Sequence, residues 1–508
     1  MSLDPSPMSA KPTPLLNPTD PAPGRGPALI GALISVVMAG IVLFVAINFN
    51  TQLFFFPEGI KSQANIATIV APYHIMGFEY TWYNSLGSPG YLTPNGSQIL
   101  SSERADYHMN LVVIDVPANV DANNPTVVNF KAGSSLDAFP DSVYKTVVQQ
   151  AQAAGLVPVF KLILHVINSP DPWPGIIGAS WYDNSGYAVE YPEEQWIDSY
   201  TAYAVHYAQL AQSLHMPFFI MGSDLEHMTT DTQTTMSYST HGPGDTYTCH
   251  GRRDCEWQHV VAALRHSTYI PYTSRKRITG GGYTGKLIYA ASSRRDNGQT
   301  ALNYFEWDPA HFLWWNAVDI IGVSALIPLT TNVAPSEAAL QQAWMGKNTT
   351  TPLAQDYGNI VEQLGALHTQ TQLPILFTSA GYESVPGSNQ YPGDAPIQSY
   401  SSSDLYTGQI EQQTDMQALY DTFIQYSWWI GVVWYGEYPI WPRSNISQVI
   451  TGNAVANFFA LTNQEPALLT DTSWAGDCLL NCQNGEEPAK KAGVWLNSLP
   501  FTAIPANP

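Results

Sequence analysis

The stretch from Trp196 to Met221, WIDSYTAYAVHYAQLAQSLHMPFFIM, joins a helix pattern directly to a strand pattern. Its large side chains recur at a spacing of three to four residues, the spacing of one face of an α-helix, and they are Trp196, Tyr200, Tyr203, Tyr207 and Leu210. We expect this face to pack into a core. The run Pro217 to Met221 is short, apolar and aromatic, which predicts a buried strand. A helix that leads into a buried strand is the unit of parallel α/β sheets.

The same alternation continues on both sides of this stretch. Eight β-rich runs predict strands, and they are Ile75 to Tyr80, Leu111 to Val116, Val157 to Leu164, Pro217 to Met221, Lys286 to Ala291, Ile320 to Ala325, Ile375 to Thr378 and Ile430 to Trp434. Helices are predicted at Ser142 to Ala154, Trp196 to Leu214, Trp257 to His266, Asp356 to Thr369 and Gln413 to Tyr426. This pattern predicts the α/β class, with a closed (β/α)8 TIM barrel at residues 73–460.

The segment before the barrel predicts a membrane anchor. Pro27 to Ile47 is a single apolar run of about 21 residues, long enough as a helix to cross a hydrocarbon core of roughly 30 Å. We therefore expect a Pro-rich, disordered cytoplasmic tail at 1–26, a transmembrane helix at 27–48 and a linker at 49–72. A cleaved signal peptide is the alternative, but the run exceeds a typical h-region and lacks a small-x-small site before Asn48. The predicted localisation is a cell membrane crossed once, with the C-terminal domain extracellular.

The charged-residue content of the chain limits the classes of ligand that it can bind. Charged residues make up 12% of the chain and the formal net charge is −21, so nucleic acid and anionic lipid headgroups are repelled. Neutral ligands such as polysaccharides or oligosaccharides meet no such penalty. The sequence contains no phosphate loop or dinucleotide fingerprint, and we expect no cofactor. The oligomeric state is not predicted.

Four cysteines form two local pairs, Cys249 with Cys255 and Cys478 with Cys482. In an oxidising compartment each pair predicts a short disulfide loop. Free thiols and a zinc site with the flanking His250 and His259 are the alternatives, but the two cysteine pairs lie more than two hundred residues apart. We therefore expect no metal. The second pair lies in residues 461–508, which predict a loop-rich extension that packs on the barrel.

Acidic and aromatic residues collect after the predicted strands. Barrel enzymes carry their reacting groups at the C-terminal ends of strands, and Glu79, Asp224, Glu383 and Glu437 all lie at or just after such ends. Glycoside hydrolysis uses two carboxyl groups, and aromatic faces stack on sugar rings. The predicted rim is therefore typical of a carbohydrate-active site.

Substrate contacts are predicted from the same rim, and the candidates are Glu79, Trp82, Lys161, His165, Trp173, Ser379, Tyr382 and Trp434. Glu79 and Glu437 have the alternative of pairing with a basic residue. Lys161 and His165 share one face of strand three, where a buried hydrogen-bonded pair is the alternative. The chain has 15 tryptophans, and most of them are expected in its core.

Six segments, taken in order, resemble glycoside hydrolase family 113, the endo-β-mannanase-like barrels. They are Gly155-Leu-Val-Pro-Val-Phe-Lys161, Trp173-Pro-Gly175, Trp196-Ile-Asp-Ser-Tyr200, Met221-Gly-Ser-Asp-Leu225, Asp319-Ile-Ile-Gly-Val-Ser324 and Pro374-Ile-Leu-Phe-Thr-Ser-Ala-Gly-Tyr382. The resemblance runs from about Gly77 to Glu437. It implies a barrel fold and a neutral, β-mannan-type glycan.

Two departures from the family pattern affect catalysis. The resemblance places the family's acid/base glutamate at Asp224 and its nucleophile glutamate at Ser379. An aspartate retains the carboxyl chemistry, whereas a serine hydroxyl cannot replace a carboxylate beside an oxocarbenium-like state. Glu437 is the first candidate for the missing carboxylate, because strand eight adjoins strand seven. Glu226 is the second and Glu383 a further one.

The predicted function is that of a membrane-anchored, extracytoplasmic glycoside hydrolase-like protein that acts on or binds such a glycan, with catalytic candidates Asp224, Glu437 and Glu226. Asp224 and Glu226 also resemble, at a short spacing, the acidic pair of substrate-assisted hydrolases. The alternative is a catalytically inactive carbohydrate-binding or structural cell-surface protein on a degenerate hydrolase barrel.

Overall fold

Eight parallel strands form a closed barrel in the computed structural model. They are β1 (Ile75–Tyr80), β2 (Leu111–Asp121), β3 (Val157–Ile167), β4 (Phe218–Ser223), β5 (Lys286–Ala291), β6 (Ile320–Ser324), β7 (Ile375–Ala380) and β8 (Trp429–Glu437). Each strand pairs in parallel with the next, and β1 pairs with both β2 and β8. The predicted barrel is confirmed, and all eight predicted strands are present. Several of them extend further at their C-terminal ends than the sequence indicates.

The structure describes residues 74–81, 90–92, 94–132, 138–169, 174–178, 192–230, 238–239, 248–249, 251–274, 276–293, 312–347, 358–383, 385–390, 392, 402–437, 495–496, 498–499 and 504. All of them belong to the unit Asn65–Pro508, the second of two units in the chain. The predicted tail, transmembrane helix and linker lie outside these residues. Among the helices that are described, none has both the length and the apolar character needed to cross a membrane.

Helices alternate with the strands. They are α1 (Pro94–Asp106), α2 (Asp141–Ala153), α3 (Pro192–Ser213), α4 (Glu226–Thr229), α5 (Arg252–Arg265), α6 (Glu337–Trp344), α7 (Ile360–Thr371) and α8 (Ser402–Phe423). The five predicted helices are present with shifted ends, whereas α1, α4 and α6 were not predicted. The aromatic face of α3 is fully buried at Trp196, Tyr203 and Tyr207, so its expected core role is confirmed.

Side-chain alternation along the strands divides the core into two parts. Residues that point into the barrel form a small apolar cluster of Ile75, Leu111, Val113, Val159, Phe218, Ile220, Ile288, Ala290, Ile320, Leu376, Ile430 and Val433. The outward residues belong to a larger cluster shared with the helices. Because successive side chains of a strand point to opposite faces, Glu79, Asp115 and Lys161 continue the inward series of β1, β2 and β3. Polar groups therefore occupy the C-terminal layer of the barrel.

Parts of the C-terminal extension contact the barrel domain. Leu496 is fully buried, and the Trp495 ring lies 5.9 Å from that of Tyr420 on α8, measured between ring centroids. His108 Nδ1 lies 2.7 Å from the carbonyl oxygen of Leu499. Cys478 and Cys482 lie outside the described residues, so their pairing stays a prediction. Cys255 is disulfide-bonded, and Cys249 as its partner also stays a prediction, because the Cys249 side chain is not described.

Candidate active site

A cluster of ionic and polar side chains lies inside the C-terminal mouth of the barrel. Lys161 Nζ of β3 donates a hydrogen bond to Glu79 Oε1 of β1 at 3.2 Å. Ser379 Oγ of β7 donates to Glu79 Oε2, also at 3.2 Å. Neither β3 nor β7 is a neighbour of β1 in the sheet, so both contacts cross the barrel interior. We call Glu79, Asp115, Lys161, Asp224 and Ser379 the mouth cluster.

Burial makes this cluster electrostatically strong. Glu79, Asp115 and Lys161 are each less than 5% exposed, and charges removed from water interact more strongly than charges at the surface. Asp115 is held by Thr81, whose hydroxyl donates to Asp115 Oδ2 at 2.8 Å. The charge of Lys161 interacts with the carboxyl groups of both Glu79 and Asp115. These two carboxyl groups therefore share one buried cation.

Ser379 enters the cluster through an irregularity in the sheet. Along the β6–β7 pair, Val323 aligns with Phe377 but Ser324 aligns with Ser379. This shift skips Thr378, and the β7–β8 pair also shifts between Phe377 and Ala380. Bulges of this kind change the direction of a side chain next to an active site. The hydroxyl of Ser379 thus reaches Glu79.

Asp224 follows β4 in an unusual backbone conformation. Its φ angle is +56°, a region that Asp adopts more readily than most residues. The Asp224 amide donates to Ala290 O at 3.0 Å, and the next amide, of Leu225, donates to the Tyr289 hydroxyl at 3.0 Å. These bonds to β5 fix the turn and hold the Asp224 carboxyl at the mouth.

The short helix α4, directly after Asp224, is anchored at its carbonyl groups. Arg253 Nη2 donates to His227 O at 2.9 Å, and the indole of Trp257 donates to Met228 O at 2.7 Å. The indole of Trp314 donates to Thr229 O at 3.1 Å. Because these carbonyls have no partners within so short a helix, the three side chains keep the segment in place.

The Asp224 carboxyl is placed to hold a proton. Burial raises the pKa of Asp224 to about 6, with a further contribution from the charge of Glu79, while Lys161 and the hydroxyls of Ser324 and Ser223 act in the opposite direction. Its Oδ1 atom is buried and accepts no hydrogen bond from the described residues. A carboxyl group with a pKa near the working pH suits general acid catalysis.

The pKa values of Asp115 and Lys161 are shifted by the same surroundings. Burial and then the charge of Glu79 raise the pKa of Asp115, against smaller effects of Lys161 and Thr81. Burial by itself lowers the pKa of Lys161, but the carboxylates of Glu79, Asp115 and Asp224 outweigh it and the net pKa is raised. Lys161 therefore remains the cation of the cluster throughout the neutral pH range.

The structure separates the predicted site residues into groups. Glu79, Lys161, Asp224 and Ser379 come together in the mouth cluster, and their roles stay predictions. His165 lies further along β3 and is partly exposed, whereas Glu226 and Glu383 are buried. The backbone of Glu437 pairs with that of Tyr80, but its side chain is not described. Trp82 and Trp173 lie outside the described residues.

Two of the predicted substrate contacts are deeply buried. Tyr382 is 1% exposed and Trp434 is 3% exposed. The Trp434 indole nitrogen lies 3.1 Å from Met76 Sδ of β1. A platform for a sugar ring needs an open aromatic face, so this burial favours packing roles for both residues.

Sequence reasoning missed Asp115 and its partner Thr81. The sequence signal that could have found Asp115 is the alternation of side chains along β2, because Leu111, Val113 and Asp115 share one face of the strand.

Among the described residues no group of three or more His, Cys, Asp or Glu side chains could hold a metal ion.

Comparison with known proteins gives a consistent result. The family model of Glycoside Hydrolase Family 113 matches residues 79–279 and 248–446. A solved structure described as a complex of a GH113 β-1,4-mannanase is similar with a TM-score of 0.52 and 16% identity, over 84% of this chain and 99% of that chain. A second GH113 β-1,4-mannanase structure has a TM-score of 0.50 and 18% identity, over 74% and 92% of the two chains.

A search of curated protein sequences finds no match. At these identities the solved structures support the barrel fold alone, whereas the family model covers well over half of the sequence. The chain belongs to glycoside hydrolase family 113.

Proposed function

We propose that this protein is a membrane-anchored, extracytoplasmic glycoside hydrolase-like protein that acts on a neutral, β-mannan-type glycan. The observation that carries the proposal is Asp224, a carboxyl group with its pKa raised to about 6 at the mouth of a family 113 barrel. In this role Asp224 donates a proton to the leaving glycosidic oxygen. The net charge of −21 favours a neutral glycan over an anionic one.

The function is tested with the full-length chain in detergent. We expect soluble β-1,4-mannan to bind and to be cleaved, with new reducing ends measured over time. A polyuronate of similar length is the control, because its charge is repelled, and it should neither bind nor be cleaved. Absence of binding to every neutral β-glycan tested would contradict the proposal.

A catalytically inactive carbohydrate-binding protein is the second candidate. It is favoured by Ser379, which stands where the family resemblance places a nucleophile carboxylate. In the same experiment this candidate binds β-mannan and releases no reducing ends. The two measurements therefore separate a binding protein from an enzyme.

The proposed topology rests on the apolar run from Pro27 to Ile47 and on the disulfide-bonded state of Cys255, because disulfides persist mainly in oxidising compartments. Protease added to intact cells should release a large soluble fragment that reacts with antibodies against the barrel. A cytoplasmic protein of the same cells is the control and should stay intact. Full protection of the barrel would show that the proposed orientation is wrong.

A further inference from the structure

The turn that carries Asp224 is held in place by two neighbouring residues of β5. A positive φ angle such as the +56° of Asp224 persists where the surrounding structure imposes it, and residues of this kind cluster at active sites. Ala290 O accepts the Asp224 amide and the Tyr289 hydroxyl accepts the Leu225 amide, each at 3.0 Å. The second hydrogen bond fixes the peptide unit that directly follows the carboxyl-bearing residue.

An irregularity in the sheet brings the Tyr289 ring to this turn. The register of the β4–β5 pair shifts, so that β4 has two residues, Met221 and Gly222, opposite Tyr289 alone. Bulges of this kind change the direction of a strand or a side chain next to an active site. A Cβ atom at Gly222 would lie 3.2 Å from the Tyr289 ring. The glycine therefore leaves room for the ring beside the end of β4.

Two tryptophans hold the other end of the same segment and pack on Tyr289. Trp257 of α5 and Trp314 are stacked, with ring centroids 4.7 Å apart, and their centroids lie 5.5 and 5.0 Å from that of Tyr289. Their indole groups donate to Met228 O and Thr229 O of α4. All three rings are fully buried, and buried rings in close contact have little room to move. We call Tyr289, Trp257 and Trp314 the aromatic support.

From these contacts we propose that Tyr289 is a positioning residue for the general acid, because its hydroxyl and the aromatic support fix residues 224–229 and thereby hold the Asp224 carboxyl at the mouth of the barrel. The inference rests on the proposed function, in which Asp224 protonates the leaving glycosidic oxygen. It extends that function by assigning the part of the protein that holds the acid. Tyr289 acts through the main chain of Leu225 and contacts no substrate in this role.

A fixed carboxyl group differs from a mobile one in two measurable ways. Misplacing a reacting group by about 1 Å can cost roughly 10²-fold in rate, so order in the turn contributes to turnover more than to affinity. Burial is the main cause of the raised pKa of Asp224, and a turn that opens to water loses part of that effect. Removal of the Tyr289 hydroxyl should therefore change both kcat and the pH profile.

The first test is Tyr289→Phe in the full-length chain in detergent, which keeps the ring and removes the hydroxyl. We expect kcat on soluble β-1,4-mannan to fall by about 10–10²-fold, as for a slightly misplaced reacting group, while KM changes only a few-fold. A kcat equal to that of the wild type would overturn the proposal.

Tyr283→Phe is the matched control. Tyr283 is also buried, and its hydroxyl donates to Met216 O at 2.9 Å, just before the end of β4 that lies away from Asp224. The control thus removes a buried hydroxyl that is bonded to the main chain beside the same strand. It should lose a similar amount of stability and keep the wild-type kcat. An equal fall of kcat in both variants would mean that general destabilisation, and not positioning, slows the reaction.

The second test is the pH profile of kcat/KM. Asp224 acts as an acid only while it is protonated. In Tyr289→Phe the released turn admits water to the carboxyl, so its pKa should fall below the wild-type value of about 6. The decline of kcat/KM with rising pH should then begin at a lower pH than in the wild type, whereas Tyr283→Phe should keep the wild-type profile. An unshifted decline in Tyr289→Phe would count against the positioning role.

Amide hydrogen exchange, followed by mass spectrometry, tests the positioning without any need for hydrolysis, because exchange reports local opening of the main chain. We expect faster exchange in Tyr289→Phe for peptides that contain residues 224–229, since the Leu225 amide loses this acceptor. The same peptides should be unchanged in Tyr283→Phe. Exchange at the wild-type rate in Tyr289→Phe would show that Tyr289 does not hold the segment.

These measurements separate failure of the inference from failure of the proposed function. If the wild type cleaves mannan and Tyr289→Phe matches it in rate and in exchange, the inference alone is wrong. If the wild type releases no reducing ends, the hydrolytic form of the proposed function fails and the catalytic purpose of the turn fails with it. Faster exchange at residues 224–229 would in that case still assign the holding of the turn to Tyr289.

Discussion

Asp224→Asn is expected to lower turnover of β-1,4-mannan by about 10²–10⁴-fold, because a positioned proton donor typically contributes that much. Asparagine has nearly the same shape as aspartate but cannot protonate the leaving oxygen. The measurement is the initial rate of reducing-end release at pH 5.5. Asp421→Asn on α8 is the matched control, since Asp421 is exposed, and its rate should equal that of the wild type.

The pH dependence of kcat/KM gives a second measurement of the role of Asp224 as the general acid. Asp224 must be protonated to act as the acid, and its pKa is raised to about 6 by burial and by Glu79, against Lys161, Ser324 and Ser223. The wild-type kcat/KM should therefore fall as the pH rises through about 6. The residual activity of Asp224→Asn should lack this decline. An unchanged rate and an unchanged pH profile in the variant would show that another group donates the proton.

If the protein is an inactive carbohydrate-binding protein, the same variant behaves differently. The wild type would then release no reducing ends, and Asp224→Asn would leave mannan affinity nearly unchanged. Ser379→Glu would place a carboxylate at the position that the family resemblance assigns to the nucleophile. It would lie beside Glu79, so like-charge repulsion limits how much hydrolysis it restores.

The sequence predicted the barrel because each strand carries its own local pattern. Ile75–Tyr80 and Lys286–Ala291 were predicted with the ends that the structure shows. The ends of β2 and β3 were missed, because the extension of β2 contains Pro117 and Asp121, residue types that are uncommon in strands. These segments become strand by pairing with each other, since Pro117 aligns with Ile163 and Asp121 with Ile167. The end of such a strand depends on the distant segment with which it pairs, and a local sequence pattern does not reveal that segment.

Helix α1 was not predicted from the sequence, for a different reason. Its sequence, PNGSQILSSERAD, contains Gly96 and three serines, residues with weak helix propensity. Few apolar residues mark a buried face, although Ile99 and Leu100 are both buried. Tertiary packing stabilises this helix more than its own propensity does, and for that reason it was not predicted.

Four of the five members of the mouth cluster were named from the sequence, but Asp115 and the contacts within the cluster were not. Asp224 and Ser379 were found through local motifs, and Glu79 and Lys161 through their positions near strand ends. The bond between Glu79 and Ser379 joins residues 300 positions apart and depends on closure of the barrel and on the bulge in β7. Neither feature has a local sequence pattern, so the contact between Glu79 and Ser379 could not be predicted, and Glu226 and Glu437 as catalytic carboxyl groups stay predictions.

Lys161→Met should be the most destabilising of the changes considered, and it separates the structural role of the cluster from its chemistry. Lys161 is the cation that faces Glu79, Asp115 and Asp224, and methionine retains much of its length without the charge. Removing one partner of a buried ion pair typically costs about 3–5 kcal/mol, because the remaining charge is buried without compensation. Urea unfolding at pH 7 measures this loss. Lys145→Met on α2 is the control, because Lys145 is exposed, and a surface change of this kind should stay within about 0.5 kcal/mol.

The direction in which the stability of Lys161→Met changes with pH identifies why the variant is less stable than the wild type. Without Lys161, the raised pKa values of Asp115 and Asp224 lose the lowering effect of its charge, so the folded variant binds protons more readily than its unfolded chain. Stability then falls as the pH rises, because the folded state holds more protons than the unfolded state. The difference between Lys161→Met and the wild type should therefore be smaller at pH 5 than at pH 7. A difference that is equal at both pH values would mean that lost packing, and not the uncompensated charge of Glu79 and Asp115, destabilises the variant.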